Sequence, residues 1–66
     1  MIPPHIQQFC DSMRIRIIDT HGNSNTICII IKSSKDKVLP ILDLDNVQGM
    51  VSTVQEEYHY VFVTPY

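Results

Sequence analysis

Histidine and cysteine side chains are the residues of this chain best suited to binding a metal or to nucleophilic chemistry. They number five in all: His5, Cys10, His21, Cys28 and His59. None of them forms a C-x2-C or H-x3-H pair, the local spacing that structural zinc sites usually show. The sequence therefore predicts no metal site and no cofactor. We expect His21 in a turn, and His59 on a strand with its ring facing solvent or a hydrogen-bond partner.

The chain contains residue types that could form a catalytic pair, but each of these residues has a simpler interpretation. Cys28 lies in an apolar run, where a thiol is hard to ionise and so unreactive. Asp43 and Asp45 are interpreted as a solvated carboxylate and a helix cap, and Glu56 and Glu57 as residues of an exposed turn. The two glycines lie in no phosphate-binding motif. We therefore predict that the chain is not an enzyme.

The charge balance gives no sign of a nucleic-acid partner. Five Lys and Arg stand against seven Asp and Glu, for a formal net charge of −2. The basic residues form two groups separated in sequence: Arg14 and Arg16, then Lys32, Lys35 and Lys37. This pattern argues against nonspecific nucleic-acid binding. No apolar run exceeds the five residues 27–31 and the N-terminus lacks a secretory pattern, so we expect a cytoplasmic protein with no membrane contact.

The composition favours strands over helices. Ile, Val and Thr make up 20 of the 66 residues and alanine is absent. We expect one domain, residues 1–66, because the chain is too short for two.

An apolar stripe at helical spacing, from Ile2 to Met13, predicts an opening helix near residues 4–12. Alternation from Arg14 onward, a turn at residues 20–25 and a second strand at 26–32 predict a hairpin.

The second half is predicted to hold a strand, a helix and a last strand. Residues 38–44 are mostly apolar and predict a third strand near a sheet edge, because Pro40 cannot donate to a ladder. Asp45 and Gln48 resemble a capping box, and the helical spacing of five apolar residues then predicts a helix. These residues are Val47, Met50, Val51, Val54 and Tyr58. Residues 58–64 give the strongest strand pattern.

The predicted fold class is α+β, with element order α-β-β-β-α-β. The strands flanking the second helix would be parallel through a right-handed crossover. The chain would then form a two-layer sandwich, with two short helices on one face of a mixed four-stranded sheet.

Two predicted strands are apolar on both faces, which leaves a patch that too few helices can cover. Its members are Cys28, Ile30, Tyr60 and Phe62. A four-stranded face spans roughly 400 Å², the size at which an exposed apolar patch begins to indicate a binding surface. We therefore expect a small protein-interaction module that binds a larger protein or itself, as a homodimer. An inhibitor or adaptor of the kind encoded by small viral or accessory reading frames fits this description.

The sequence is also compatible with a second function, RNA binding. Tyr58, Tyr60 and Phe62 could stack bases beside Arg14 and Arg16, as sheet-based RNA binders do. The terminal run from Val61 to Pro65, with an opening helix and several strand segments, resembles the Sm-like RNA-binding barrels. That resemblance implies a small β-barrel and RNA as the partner.

Overall fold

The computed structural model describes residues 2–65, which form four strands and two helices with a short 3-10 helix. In chain order the elements are α1 (Pro4–Ser12), β1 (Arg16–Gly22), β2 (Ile27–Lys32), α2 (Lys35–Val38), the 3-10 helix (Leu39–Asp43), β3 (Val47–Ser52) and β4 (Tyr58–Val63). The strands make one sheet in the order β1-β2-β4-β3, and every neighbouring pair is antiparallel. The α+β class is therefore confirmed, whereas the predicted mixed sheet and its parallel crossover are wrong.

The first half of the chain follows the sequence pattern. The opening helix α1 begins at Pro4, where a proline is tolerated because the first helical N–H has no partner within the helix. Strands β1 and β2 form the expected hairpin. The Asn23 side-chain oxygen Oδ1 accepts the backbone N–H groups of Asn25 at 2.8 Å and Thr26 at 3.0 Å, which closes the turn. The element order α-β-β therefore agrees with the prediction up to the end of β2.

The predicted third strand, residues 38–44, is instead helical. Helix α2 ends at Val38, and the 3-10 helix follows with Pro40 near its start, where the fixed φ of proline suits a helical turn. Val38 and Ile41 are fully buried, three residues apart. This spacing lies on one side of a 3-10 turn, so the apolar run reflects helix packing and not a pleated strand.

The predicted second helix is also wrong, because this stretch holds β3 and a hairpin turn. A β-bulge explains why two of the five apolar residues, Val47 and Met50, follow the helical spacing. Val47 pairs with Val63 and Met50 with Val61, and the register shifts between Val47 and Gly49. One extra residue in the strand thus turns Val47 and Met50, three apart, toward the same side. Asp45 makes no side-chain cap. The next residue, Asn46, has a left-handed φ of 74° and directly precedes β3.

One face of the sheet carries the core. Alternate residues of β2 and β4 point to this face and are buried against side chains from both helices and the 3-10 helix. The core consists of Ile6, Cys10, Ile15, Ile27, Ile29, Ile31, Val38, Ile41, Val61 and Val63. All helical elements of residues 2–65 thus pack on the same side. The sheet is open and four-stranded, so the barrel implied by the resemblance to Sm-like proteins is not formed.

Both edge strands are interrupted by a bulge. In β1 the register shifts between Ile17 and Asp19, and in β3 between Val47 and Gly49. Bulges at sheet edges twist the backbone and break the row of free donors and acceptors, which hinders the addition of another strand. The edges are therefore poorer docking sites than the sheet face.

Candidate interaction surface

The four residues predicted to form an interface are neighbours on one face of the sheet. Cys28 pairs with Phe62 and Ile30 pairs with Tyr60, on the two central strands. Cross-strand partners project to the same side, so these pairs form a compact block. Tyr60 is 38% exposed, and the other three are half-buried. We call this side of the sheet, opposite the helices, the open face.

Strand β3 extends the open face on one flank. Val51 pairs with Tyr60 and is 59% exposed, and Gly49 pairs with Phe62. A side chain built on Gly49 would meet nothing within 4 Å. No side chain of β3 therefore covers the open face at this position.

Strand β1 gives the opposite flank a polar border. Asp19 pairs with Ile30 and His21 with Cys28. The bulge at Ile18 makes this possible, since it shifts the side-chain alternation by one residue. His21 Nε2 lies 3.0 Å from Asp19 Oδ2, and both side chains are more than half exposed. Between Cys28 and His21 the structure has no hydrogen bond, so these residues do not make a thiol and base pair.

All five basic residues converge at one end of the sheet. Arg16 starts β1 and pairs with Lys32, which ends β2. Lys37 Nζ donates to the Arg14 carbonyl at 3.4 Å, and Lys35 Nζ lies 3.3 Å from Glu56 Oε1 in the β3–β4 turn. We call this group the basic end: Arg14, Arg16, Lys32, Lys35 and Lys37. The two sequence groups meet here because β1 begins where its antiparallel partner β2 ends.

Carboxylates compensate only part of the basic end. Lys32 Nζ lies 3.6 Å from Glu57 Oε1 and 5.7 Å from the centre of the Tyr58 ring, and Lys35 pairs with Glu56. Within residues 2–65, Arg16 makes no ion pair. Because it pairs with Lys32, its guanidinium projects from the open face, and Lys32 lies between it and the row of aromatic rings on β4.

His59 lies on the core face and is the one buried polar side chain of residues 2–65. It is 0% exposed. Its Nε2 is 2.8 Å from the Ser33 carbonyl oxygen and its Nδ1 is 2.7 Å from Ser52 Oγ. A carbonyl only accepts, so Nε2 carries the proton, and in the neutral ring Nδ1 accepts the Ser52 hydroxyl. The expected hydrogen-bond partner for His59 is thus present.

The Ser52 and His59 pair joins elements together. A serine hydroxyl donating to an oriented imidazole is also the arrangement of a nucleophile and its base. His59 has no exposed surface, however, and it does not line the open groove of about 520 Å³ formed by residues 33–36 and 55–57. The pair therefore ties β3 and β4 to the loop that follows β2, which holds the sheet to the α2 segment.

The two cysteines have different surroundings. Burial, with a smaller contribution from the negative charge of Asp11, raises the pKa of the Cys10 thiol to about 11. Burial also raises the pKa of the Cys28 thiol, although this side chain is half-buried on the open face. Both cysteines are free thiols.

In the described part of the chain, no three His, Cys, Asp or Glu side chains are grouped so as to hold a metal ion.

The fold and the surface together define a small α+β domain whose sheet has one covered face and one open face. Comparison with protein-family models, with curated proteins and with solved structures gave no match. No helix within residues 2–65 is long and apolar enough to cross a membrane.

Sequence reasoning found the apolar block but missed the basic end. The block follows from two-sided strands, a pattern visible in the sequence. The basic end needs the hairpin register, which brings Arg16 beside Lys32. The signal was nevertheless present, since Arg14 and Arg16 precede the hairpin while Lys32, Lys35 and Lys37 follow it. A hairpin brings the residues that precede its first strand close to the residues that follow its second strand.

Proposed function

We propose that the protein is an interaction module that binds another protein through the open face of its sheet. The supporting observation is the block made by Cys28, Ile30, Tyr60 and Phe62, which lies opposite every helix of residues 2–65. Large apolar and aromatic side chains grouped at the centre of a surface are typical of binding hot spots. An inhibitor or adaptor would act in this way, by occupying a surface of a larger protein.

The surroundings of the block also support this proposal. Bulges in both edge strands hinder docking by strand addition, so the face is the better site. The polar Asp19 and His21 pair on one flank and the charged Arg16 and Lys32 at one end frame an apolar centre. Protein interfaces commonly have an apolar centre and a polar rim.

Variants that introduce a positive charge into the apolar block test the proposal. Ile30→Lys and Phe62→Lys place an ammonium group at the centre of the open face, while Val54→Lys, at a turn residue that is 97% exposed, is the matched control. We expect all three to fold, and only the first two to lose the binding partner on affinity capture from the native cell extract. Equal partner recovery with Ile30→Lys and the wild type would contradict the proposal.

Cys28 provides a direct report of occupancy. Its thiol lies beside Phe62 on the open face, so a bound partner should slow its reaction with a small thiol reagent. We expect the captured partner to protect Cys28 in the wild type but not in Ile30→Lys. No protection of Cys28 in the wild type would place the contact elsewhere, and equal protection in the two proteins would show that Ile30 is not part of the contact.

Binding of single-stranded RNA is the second candidate, supported by the aromatic row. Tyr58, Tyr60 and Phe62 alternate along β4 and face the open side, about 6.7 Å apart at the strand repeat. Arg16 and Lys32 lie at one end of this row. Stacking of bases with phosphate contacts at that end would give affinity that falls steeply with salt, whereas an apolar protein interface would respond weakly. A salt titration of binding therefore separates the two functions.

A further inference from the structure

We propose that the occupant of the open face is a segment of another protein that carries apolar side chains next to one or more carboxylates. In this arrangement the apolar side chains cover the central block, and Arg16 at the basic end receives a carboxylate. The inference rests on the proposed function and specifies the chemistry of the partner.

The charge distribution supports an acidic partner segment. Of the five Lys and Arg at the basic end, Arg16 and Lys32 belong to the sheet and lie on its open face, and Glu57 pairs with Lys32. Arg16 has no carboxylate partner among residues 2–65 and projects from the open face. A guanidinium can bind a carboxylate through two parallel hydrogen bonds, which fixes both the position and the direction of a ligand.

The aromatic residue beside the basic end strengthens this assignment. Tyr58 pairs with Lys32, whose ammonium lies 5.7 Å from the centre of its ring. Tyr60 and Phe62 continue the row away from the charges. The open face thus changes from cationic to apolar along the strand direction, which fits a peptide with acidic residues at one end and apolar residues at the other.

A second copy of the chain fits the open face less well. A four-stranded face spans roughly 400 Å², so two such faces would bury about 800 Å² in total, below the roughly 1,200 Å² of the smaller stable protein interfaces. A larger partner is not limited in this way, because it can also contact the borders around the face. Val51 and the exposed side chains of β1 are available for such contacts.

The open face also fits a nucleic-acid strand less well than a peptide. Every nucleotide carries a phosphate, so a bound strand needs cations along its whole path. Here the cations lie at one end only, and Asp19, on the edge strand β1, lies beside Ile30. The chain as a whole has a net charge of −2. One or two carboxylates match this distribution better than a row of phosphates.

A random-peptide display library is the probe that tests the inference. The library is selected on the intact wild-type chain, and the recovered peptides are synthesised and measured by titration. We expect apolar peptides enriched in Asp or Glu toward one end. Arg16→Ala should weaken them about tenfold or more, as for loss of a charged hydrogen-bonded contact. Arg14→Ala removes the same charge from a loop outside the sheet, and we expect a change below about twofold.

A double-mutant cycle identifies the contact itself. Replacing the selected peptide's Asp or Glu by Asn or Gln should weaken binding to the wild type, and Arg16→Ala should then add little further loss. Two results together would overturn the inference of an acidic partner segment and leave the proposed function standing. They are loss of binding in Ile30→Lys, and no effect on binding of Arg16→Ala or of replacing the peptide's Asp or Glu by Asn or Gln.

Other outcomes overturn the inference in distinct ways. Selection of no peptide that depends on Ile30 would contradict the proposed function as well. A solution mass that doubles with concentration in the wild type but not in Phe62→Lys would show a second copy as occupant. Tight binding of an oligouridine probe that weakens steeply with salt would show a nucleic-acid occupant.

Discussion

The two faces of the sheet are built by the same strands but have different roles. On the core face, Ile29, Ile31, Val61 and Val63 are 0% exposed and pack against the helices. On the open face, the intervening residues of the same strands keep part of their surface in solvent. The sequence of β2 is almost uniformly apolar, so the side-chain type does not separate the faces. The position of the helices does, and this difference is the basis for proposing the open face as the binding surface.

Neighbouring isoleucines on β2 should show this difference most strongly. Ile29 is fully buried on the core face, whereas Ile30 is half-buried on the open face. We expect Ile29→Ala to lower the free energy of unfolding by about 3 to 4 kcal/mol, since it leaves a cavity among packed side chains. Ile30→Ala should cost about 1 kcal/mol or less. Chemical denaturation of both variants measures the contrast, and equal losses would mean that the open face is also packed.

The histidines offer a second matched pair. His59 is buried with both ring nitrogens hydrogen-bonded, and His21 is exposed at the border of the open face. We expect His59→Ala to cost about 3 kcal/mol, because it leaves the Ser33 carbonyl without its donor and opens a cavity. His21→Ala should change stability by less than about 0.5 kcal/mol. A similar small loss for both in thermal or chemical unfolding would contradict the role of His59 as a structural link.

The two glycines test the turn against the open face. A Cβ on Gly22 would lie 2.7 Å from the Thr26 carbonyl oxygen and 2.9 Å from Ile27 Cα, so the hairpin backbone would have to move. We expect Gly22→Ala to cost about 2 kcal/mol. Gly49→Ala meets open space and should be neutral, or stabilising by a few tenths of a kcal/mol through lower entropy of the unfolded chain. If Gly22→Ala proved neutral as well, the hairpin would be looser than the structure shows.

Alkaline pH should reveal the smallest of these differences. The folded-state pKa of Cys10 is raised from 9.0 to about 11, so folding favours the neutral thiol. This stabilisation is present in full below pH 9, and it is lost as the pH rises toward 11 because the unfolded thiol ionises first. We expect the stability difference between the wild type and Cys10→Ser to shrink by about 1 to 2 kcal/mol over that range, by denaturation at each pH. A constant difference would contradict burial of the thiol.

The open face could be predicted from the sequence because its signal is local. Residues 27–31 and 60–63 are apolar on both sides of each strand, so either register leaves one apolar side facing away from the helices. Which residues pair across the strands does not follow from the pattern. The structure places Cys28 beside Phe62 and Ile30 beside Tyr60. Their role in binding stays a prediction, which the lysine variants address.

The errors in the middle of the chain have one physical source. A bulge adds a residue to β3 and turns Val47 and Met50 to one side, so the spacing imitates a helix. Pro40, within residues 38–44, is compatible with an edge strand, but proline is equally suited to the start of a helical turn. In both places local spacing was ambiguous, and pairing with β4 or packing against the core decided the outcome.

The sequence by itself determined helix α1, the β1–β2 hairpin and the strand β4, since each has a clear periodicity within a short stretch of chain. Only the tertiary structure decided that β3 is a strand and that the sheet is antiparallel throughout. These features depend on contacts between residues far apart in sequence. Such contacts form only when a partner strand or helix is in place, and no local pattern encodes that partner.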